Sequence, residues 1–198
     1  MSDTVAAAEP LTVRKKRRAQ QSIVEAADEL FRAHGFENVS VTDIASRAEV
    51  GRTTFFRYFG DKAEVVFAQE QRMLDLITER ATSDSVEPAH TAADALDQLR
   101  PIVLELCRSA SADPAGCTLH YELIAKHLEL RARDALKTQL IADRLSDLLI
   151  ARGTEESVAI FAAQIALACA QTARRRANNP QTLVADTRAA FDQVHLHA

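Results

Sequence analysis

Glycine and proline are scarce in this chain, and tryptophan is absent. Its 198 residues include 5 glycines, 5 prolines and no tryptophan, and aromatic residues make up 5%. β-Sandwiches and barrels need many Gly- and Pro-rich turns, so this scarcity argues against them. Ala, Leu, Glu, Arg and Gln dominate instead, and these residues favour helices. With 47% hydrophobic and 26% charged residues the chain can bury a core, and the composition predicts an all-α protein.

Cysteines and long apolar runs are also few. Cys107, Cys117 and Cys169 show neither a disulfide framework nor the spacing of metal ligands. The N-terminus lacks a secretory pattern, so we expect a reduced, cytoplasmic protein. Residues 157–173 carry no charge, but they are rich in alanine and shorter than the ~20 apolar residues of a membrane span. We therefore expect a buried helix there and no membrane partner.

Sequence signals of catalysis are missing. There is no Gly-rich phosphate loop, no HExxH and no nucleophile elbow, so no catalytic residue, metal ligand or cofactor is predicted. Cys117 and His120 lie three residues apart and could share a helix face. Ordinary buried residues are the commoner explanation of such a pair, and of a lone cysteine. A sensor thiol and a small helical enzyme stay open as alternatives.

The net charge of −4 conceals an uneven distribution along the chain. Residues 1–10 carry −2, residues 11–62 carry +3 and residues 63–198 carry −5. Five consecutive basic residues, Arg14 to Arg18, open the positive part. An acidic chain as a whole disfavours nucleic acid as a partner, but a basic segment can bind it.

Periodicity and capping signals divide the chain into about nine helices. We expect a disordered arm over 1–13, a compact three-helix domain over 14–62 and a larger helical domain over 63–198. Gly35 and Gly153 are good helix stops. A long helix is expected from Asp61 to about Thr82, and a kink or break at Pro101.

Two short helices joined by a tight turn are predicted over residues 40–62, which suits a helix-turn-helix. Ser40 and Asp43 form a capping signal for the first helix. The second helix begins near Arg52 and ends near Phe59. Its side chains that can reach base edges or phosphates include no acidic residue. They are Arg52, Thr53, Thr54, Arg57 and Tyr58.

This segment resembles the N-terminal domain of the TetR family of transcriptional repressors. The family pattern is roughly Thr-x-x-x-Ile-Ala-x-x-Ala-Gly-Val-Ser-x-x-Thr-Leu-Tyr-x-Tyr-Phe-x-x-Lys-x-x-Leu. The matching residues are Ser40, Ile44, Ala45, Ala48, Val50, Thr54, Tyr58, Phe59, Lys62 and Val65. The preceding Leu30-Phe31-x-x-His34-Gly35-Phe36 fits as well. The resemblance covers about 50 residues, and its motif is specific.

Three positions depart from the family pattern. Glu49 stands where the family has the turn glycine, and a left-handed backbone there costs a non-glycine residue roughly 1 kcal/mol. Gly51 replaces the usual serine and is a weaker N-cap. Phe56 replaces a tyrosine whose hydroxyl often contacts a DNA phosphate in the family.

The resemblance implies a DNA interface on the first domain. Arg52 and Thr53 are expected at bases, Lys62 at a phosphate, and the basic run at the backbone or an adjacent minor groove. The full set of predicted DNA-binding residues is Arg17, Ser40, Thr42, Arg52, Thr53, Thr54, Phe56, Arg57, Tyr58 and Lys62.

The resemblance also implies an effector cavity and a dimer interface in the second domain. Candidate cavity residues are Met73, Leu99, Val103, Cys107, His120, Tyr121 and Ile124, a mostly apolar set that suits a small hydrophobic effector. The last two helices are expected to form the dimer. Candidate interface residues are Phe161, Ala162, Ile165, Ala166, Phe191 and Val194.

Together these features predict a homodimeric, ligand-responsive regulator that binds a palindromic operator on double-stranded DNA, with a repressor favoured. An effector would shift the protein to a conformation with lower DNA affinity. A helical partner-binding protein that has lost DNA binding is the alternative from another class, and Glu49 and Phe56 are its support.

Overall fold

The computed structural model describes residues 11–83, 86–177 and 179–195. In these residues it contains ten α-helices, one 3-10 helix and no strand, so the all-α prediction is confirmed with one helix more than expected. The chain divides into two compact units, the first ending at Ala68 and the second beginning at Gln69. Residues 1–10 of the predicted arm, and residue 178 of the predicted last break, lie outside the described residues.

The first unit contains four α-helices and the 3-10 helix. Their bounds are α1 Leu11–His34, the 3-10 helix Phe36–Asn38, α2 Val41–Arg47, α3 Arg52–Tyr58 and α4 Lys62–Val66. The helices of the second unit are α5 Ala68–Ser83, α6 Ala92–Ala110, α7 Pro114–Lys126, α8 Leu128–Ala151, α9 Glu156–Ala177 and α10 Leu183–His195.

The core of the first unit forms where α1 packs against α2 and α4, and α2 packs against α3. Ile23, Ile44 and Phe55 are fully buried there. An ion pair of 2.6 Å between Arg47 Nη2 and Glu29 Oε2 also joins α2 to α1. The two short helices are therefore held on the longer α1, which fixes how α3 is presented.

The core of the second unit is built around α9, which packs against α6, α8 and α10. The buried face of α9 consists of small residues such as Ala159, Ala162 and Ala166, which let neighbouring helices approach closely. Leu99 of α6 and Leu145 of α8 are fully buried against this core.

The predicted capping signals are confirmed. Ser40 and Asp43 form a complete capping box at α2, and α1 ends before Gly35, which has φ 80°. Gly153, with φ 93°, lies in the turn between α8 and α9. Only glycine adopts such φ values without steric cost, so both helix ends are dictated locally.

One expected boundary is wrong, because residues 11–13, expected in the disordered arm, are helical: α1 begins at Leu11 and includes all five basic residues. In the second unit, Asp113 caps α7 and Pro114 occupies its first turn. Proline suits that position, since its ring presets φ and its missing N–H has no helical partner there.

Inside the helices, the break that was one expectation for Pro101 is absent, because α6 runs unbroken from Ala92 to Ala110. The buried residues of α6 on both sides of the proline hold the helix together. The long helix expected from Asp61 divides at Phe67, whose backbone (φ −100°, ψ 18°) leaves the helical region. Phe67 is itself almost fully buried, so packing of its ring accompanies the break.

One helix in the described chain, Glu156–Arg175, is long and apolar enough to cross a membrane by length and composition, and 33% of its most apolar stretch is buried. The buried residues are the alanines and Cys169 that pack into the core of the second unit. The expectation of a buried helix therefore holds for one face, while Ile160 and Phe161 lie exposed on another.

Candidate functional site

The turn between α2 and α3 is a Schellman motif with a glutamate in the glycine position. Glu49 has φ 55°, in the left-handed region. Its N–H donates to the carbonyl of Ser46 at 3.2 Å, and the N–H of Val50 donates to the carbonyl of Ala45 at 3.0 Å. These two bonds satisfy the last carbonyls of α2 and define the motif. The left-handed position anticipated at Glu49 is present.

The exposed face of α3 has the chemistry of a nucleic-acid reader. Arg52, Thr53, Phe56 and Arg57 are exposed, and Thr54 and Tyr58 are half-buried. Phe55 and Phe59 face the core, as expected of them. The helix thus presents hydroxyls and two guanidinium groups and no acidic side chain, and anchors itself by its aromatic residues.

Aromatic rings beside the two arginines of α3 support their positions. The guanidinium of Arg52 lies 6.0 Å from the ring centre of Phe56. That of Arg57 lies 4.8 Å from the ring of Tyr58, and its Nη2 donates to the Tyr58 hydroxyl at 3.2 Å. Such cation–π contacts restrict the arginine side chains while leaving their donors on the surface.

The start of α2 offers fewer groups for DNA binding than the sequence implied. The hydroxyl of Ser40 donates to Asp43 Oδ2 at 2.6 Å, so its one proton is used inside the capping box. The hydrogen bonds from Ser40 lower the pKa of Asp43. Thr42 is exposed in the first turn of α2, where helix N–H groups and the helix dipole favour an anion.

Lys62 does not fit the expected phosphate contact. Its ammonium donates to the carbonyls of Phe36, at 2.7 Å, and Val39, at 3.0 Å, and approaches that of Glu37 at 3.4 Å. It also lies 4.4 Å from the ring centre of Phe36. Because its donors are used by these backbone groups, Lys62 joins the start of α4 to the segment before α2.

The basic run occupies the first two turns of α1. Arg14, Lys15, Lys16, Arg17 and Arg18 are all exposed, and the first turn of the helix contains no acidic residue. Positive charge near a helix N-terminus opposes the helix dipole. Only Arg14 lies in the first turn, where this effect acts, so the run as a whole forms an exposed cluster of positive charge.

A cavity in the second unit coincides with part of the predicted effector site. The space in it that water can reach is about 80 Å³. Of the predicted residues, Met73, Val103 and Tyr121 line it. Leu99, Cys107, His120 and Ile124 are buried but do not line it.

Three charged residues of the cavity were not predicted. They are Glu70 of α5, Asp134 of α8 and Arg174 of α9. Arg174 Nη2 donates to Asp134 Oδ2 at 3.1 Å, and its guanidinium lies 5.1 Å from the ring centre of Tyr121. Burial opposes the charge of Arg174, but Asp134 outweighs it and raises the pKa of Arg174. The only local signal was Arg174 itself, whose position near the end of a helix had suggested a favourable dipole interaction.

The three cysteines are buried, and Cys107 Sγ lies 3.5 Å from the hydroxyl of Thr187. Burial raises the pKa of each thiol. A raised pKa reduces the thiolate fraction, so these residues lack the chemistry of a reactive thiol. The imidazole of His120 faces a carboxylate, with its Nε2 3.1 Å from Glu70 Oε1.

The predicted dimer residues fall into two groups. Ala162, Ala166 and Phe191 are fully buried within a single chain, so they cannot form the surface of an interface. Phe161 is 56% exposed, and Ile165 and Val194 are half-buried. Alanine spacing had suggested close approach between helices, and that approach occurs inside one chain. The exposed Ile160 was missed, because alternate faces of an apolar helix look alike in sequence.

Sequence comparisons place the first unit in a known family. The model of "Bacterial regulatory proteins, tetR family" matches residues 23–68. A protein of Mycobacterium tuberculosis, named as a mycofactocin biosynthesis transcriptional regulator, is 36% identical over 97 residues, covering 45% of this chain and 49% of its own. The transcriptional regulator TcmR of Streptomyces glaucescens is 46% identical over 55 residues, covering 28% of this chain and 24% of its own. The chain thus spans about half the length of the first relative and about a quarter of the second.

Structural comparisons extend over both units. SmeT, the repressor of a multidrug efflux pump of Stenotrophomonas maltophilia, has a TM-score of 0.57 at 19% identity, with 88% of this chain and 87% of that one covered. FadR of Thermus thermophilus, a TetR-family repressor in complex with lauroyl-CoA, has a TM-score of 0.54 at 20% identity, with 87% and 91% covered. At such identities the likeness concerns the fold. The helix-turn-helix and the family match agree that residues 23–68 form a DNA-binding domain of the tetR type, and the solved structures share the fold of the whole chain.

Proposed function

We propose that this protein is a cytoplasmic, homodimeric transcriptional regulator that binds a palindromic operator and is released from it by a small hydrophobic effector. The exposed face of α3, in the part of the chain that matches the family, carries this proposal. Arg52, Thr53 and Arg57 are exposed there beside a Schellman turn, on a helix anchored by buried Phe55. A rigid helix with guanidinium and hydroxyl groups is suited to the major groove.

In this proposal Arg52 and Thr53 contact bases, and phosphates are contacted by residues at the edges of the motif. Arginine recognises guanine through O6 and N7, and Arg52 is the first residue of α3, where recognition helices meet base edges. Thr42, Thr54, Arg57 and Tyr58 are placed for phosphates. Ser40 supports α2 through its capping box, and Lys62 is assigned to the fold.

The basic run of α1 supplies non-specific attraction in this proposal. Its five cations, including Arg17, are exposed on one short stretch of helix. Each cation that neutralises a phosphate releases a counterion, which makes DNA affinity strongly dependent on salt.

Repression with release by an effector is proposed from the cavity in the second unit and from two relatives. One solved relative is a complex of SmeT with triclosan, and another is the FadR complex with lauroyl-CoA. Both ligands belong to those proteins, and each of them has an apolar part. Here the cavity walls include Met73, Val103 and Leu106, which favour a hydrophobic body.

Selection of bound sequences from random DNA by the purified full-length protein tests the function. We expect an inverted repeat whose half-sites are separated by about one helical turn, 34–36 Å, or a multiple of it. Arg52→Ala should reduce affinity for the selected site by about 1–3 kcal/mol and relax the preference at one base pair.

Two results would contradict the proposal. If the wild-type protein retains no DNA at low salt, the chain is a partner-binding protein that has lost DNA binding. If Arg52→Ala weakens all sequences equally, Arg52 contacts a phosphate, and base reading must lie elsewhere on α3.

A further inference from the structure

Glu70 has an unusual position in the lining of the cavity. Its side chain is more than nine-tenths buried in the first turn of α5. Oε1 lies 3.1 Å from His120 Nε2, whereas Oε2 has no hydrogen-bond partner among the residues that the structure describes. A buried acceptor that stays unpaired costs about 1–3 kcal/mol, and more when it is charged. Oε2 therefore marks a place where a donor group is missing.

The charges around the cavity define which donor suits Glu70. Its charged lining residues are Glu70, Asp134 and Arg174. Asp134 and Arg174 neutralise each other through their hydrogen bonds. Burial opposes ionisation of Glu70, but the charge of His120 and its hydrogen bond outweigh burial and keep the pKa of Glu70 below its usual range. His120 offsets the charge of Glu70 on the Oε1 side, and Oε2 of the ionised carboxylate can only accept hydrogen bonds, so Oε2 suits a donor head group and is unfavourable for an anionic one.

Much of the remaining lining is apolar. Met73, Val103, Leu106, Ile141, Leu145, Leu167 and Leu183 line the cavity, together with the polar side chains of Gln69, Thr138 and Gln171. Met73 is half-buried, and its flexible side chain can adapt to a ligand. The arrangement matches a molecule with one polar head and an apolar tail.

A divalent metal ion is the competing occupant. Ligand atoms of Glu70, His120 and Asp134 all lie within 4.8 Å of one another. A zinc ion needs its ligands at about 2.0–2.2 Å, and therefore closer together than the widest of these separations. Arg174 also holds its positive charge against Asp134, which opposes a second cation of charge two at that carboxylate. A singly charged donor at Glu70 Oε2 avoids this conflict, because Arg174 and Asp134 keep their own pairing.

We propose that the cavity binds an apolar molecule that ends in a protonated amine, and that Glu70 Oε2 accepts a hydrogen bond from this head group. The inference rests on the proposed function, because it names the chemical class of the effector. It differs from an acyl ligand such as the one bound by the FadR relative, whose acidic groups a buried glutamate would disfavour.

Three probes with the same tail and different heads test the proposal. Octylamine, octanol and octanoate are titrated into the full-length protein at pH 7.5 by calorimetry. We expect octylamine to bind at least about tenfold more tightly than either of the others, because a hydrogen bond with a charged partner is the strong kind. Glu70→Gln keeps the shape of the side chain and removes its charge, so it should abolish this preference. Glu122→Gln, an exposed glutamate of α7 that is absent from the cavity lining, should retain it.

Several outcomes would overturn the proposal. They are equal or tighter binding of octanol or octanoate to the wild-type protein, and a preference for octylamine that survives in Glu70→Gln. Binding of Zn²⁺ alone that is lost in both Glu70→Gln and His120→Gln, without any preference for the amine, would assign the cluster to a metal. The ranking of the three probes on the wild-type protein needs no variant, so misfolding of Glu70→Gln leaves the test decisive.

Operator retention, measured without ligand, separates this inference from the proposed function. If the wild-type protein retains the selected DNA and octylamine shows no preference, the amine assignment fails and DNA binding stands. If octylamine is preferred but no DNA is retained, the cavity assignment stands and the regulatory function fails.

Discussion

At the scale of single residues, Glu49 lowers the stability of the turn in the helix-turn-helix. It is the only non-glycine residue with positive φ in the described chain. Its Schellman hydrogen bonds require that backbone, and an L side chain pays a steric cost for it. Glu49→Gly should therefore raise the free energy of unfolding by about 1 kcal/mol, measured by urea denaturation.

Glu49→Ala is the matched control for this prediction. It removes the same charge but keeps Cβ, so we expect no gain in stability from it. A gain of equal size in both variants would show that the charge, and not the left-handed backbone, destabilises the turn.

Lys62 is the residue whose role the structure changes most. Lys62→Met should lower the free energy of unfolding by about 1–3 kcal/mol, because the carbonyls of Phe36 and Val39 lose a charged donor. Since we assign Lys62 to the fold, the dependence of DNA affinity on salt should stay unchanged. Urea denaturation and DNA titrations at several salt concentrations measure the two effects.

Lys15→Met is the reciprocal control. Lys15 is exposed in the basic run of α1, so its loss should leave stability nearly unchanged and reduce the slope of log affinity against log salt by about 1. A reduced slope in Lys62→Met, with unaltered stability, would restore the phosphate contact that the family resemblance implied.

At the scale of helices, α6 tolerates a proline that removes one of its backbone hydrogen bonds. Pro101 is exposed inside a helix that continues to Ala110. An interior proline lacks the N–H and crowds the preceding turn. Because proline also restricts the unfolded chain, the net gain from Pro101→Ala should be about 1–2 kcal/mol of unfolding free energy, measured by urea denaturation.

Pro114→Ala, the same substitution at another position, should change the free energy of unfolding in the opposite direction. Pro114 occupies the first turn of α7, where its fixed φ suits the helix and no N–H is needed. We expect this variant to lose up to about 1 kcal/mol. A loss in both variants would mean that α6 depends on the rigidity of Pro101.

These helices also show what the sequence could predict. Capping at Ser40 and Asp43 and the stop at Gly35 are decided by neighbouring residues, so they were predicted correctly. The continuity of α6 through Pro101 depends on packing against other helices, and local signals cannot report it.

The DNA-binding face and the cavity also differ in how well the sequence could predict them. The exposed face of α3 follows from one helical period, and the sequence alone named its residues. Glu70, Asp134 and Arg174 meet at one cavity from three helices distant along the chain, so no local pattern joins them. The net negative charge of the whole chain was a poor predictor of its partners, because opposite charges lie in different units.

At the scale of the whole molecule, the proposed dimer depends on a face that one chain leaves uncovered. Phe161 is 56% exposed and Ile160 is 46% exposed on α9, while Ile165 is half-buried one turn later. Large exposed apolar side chains that cluster on a helix favour contact with a partner. In the proposed homodimer, that partner is the same face of a second copy.

Phe161→Glu should therefore weaken the dimer at least about thirtyfold, since loss of a central aromatic contact typically costs 2 kcal/mol or more. Sedimentation velocity over a range of protein concentrations measures this change, and circular dichroism checks that the helices persist.

Leu136→Glu is the matched control, because Leu136 is 73% exposed on α8 and is not assigned to the interface. Phe161→Glu should also lower the affinity for the operator, because a monomer reaches only one half-site. Leu136→Glu should leave that affinity unchanged. Dissociation by Leu136→Glu, with Phe161→Glu still dimeric, would move the interface from α9 to α8.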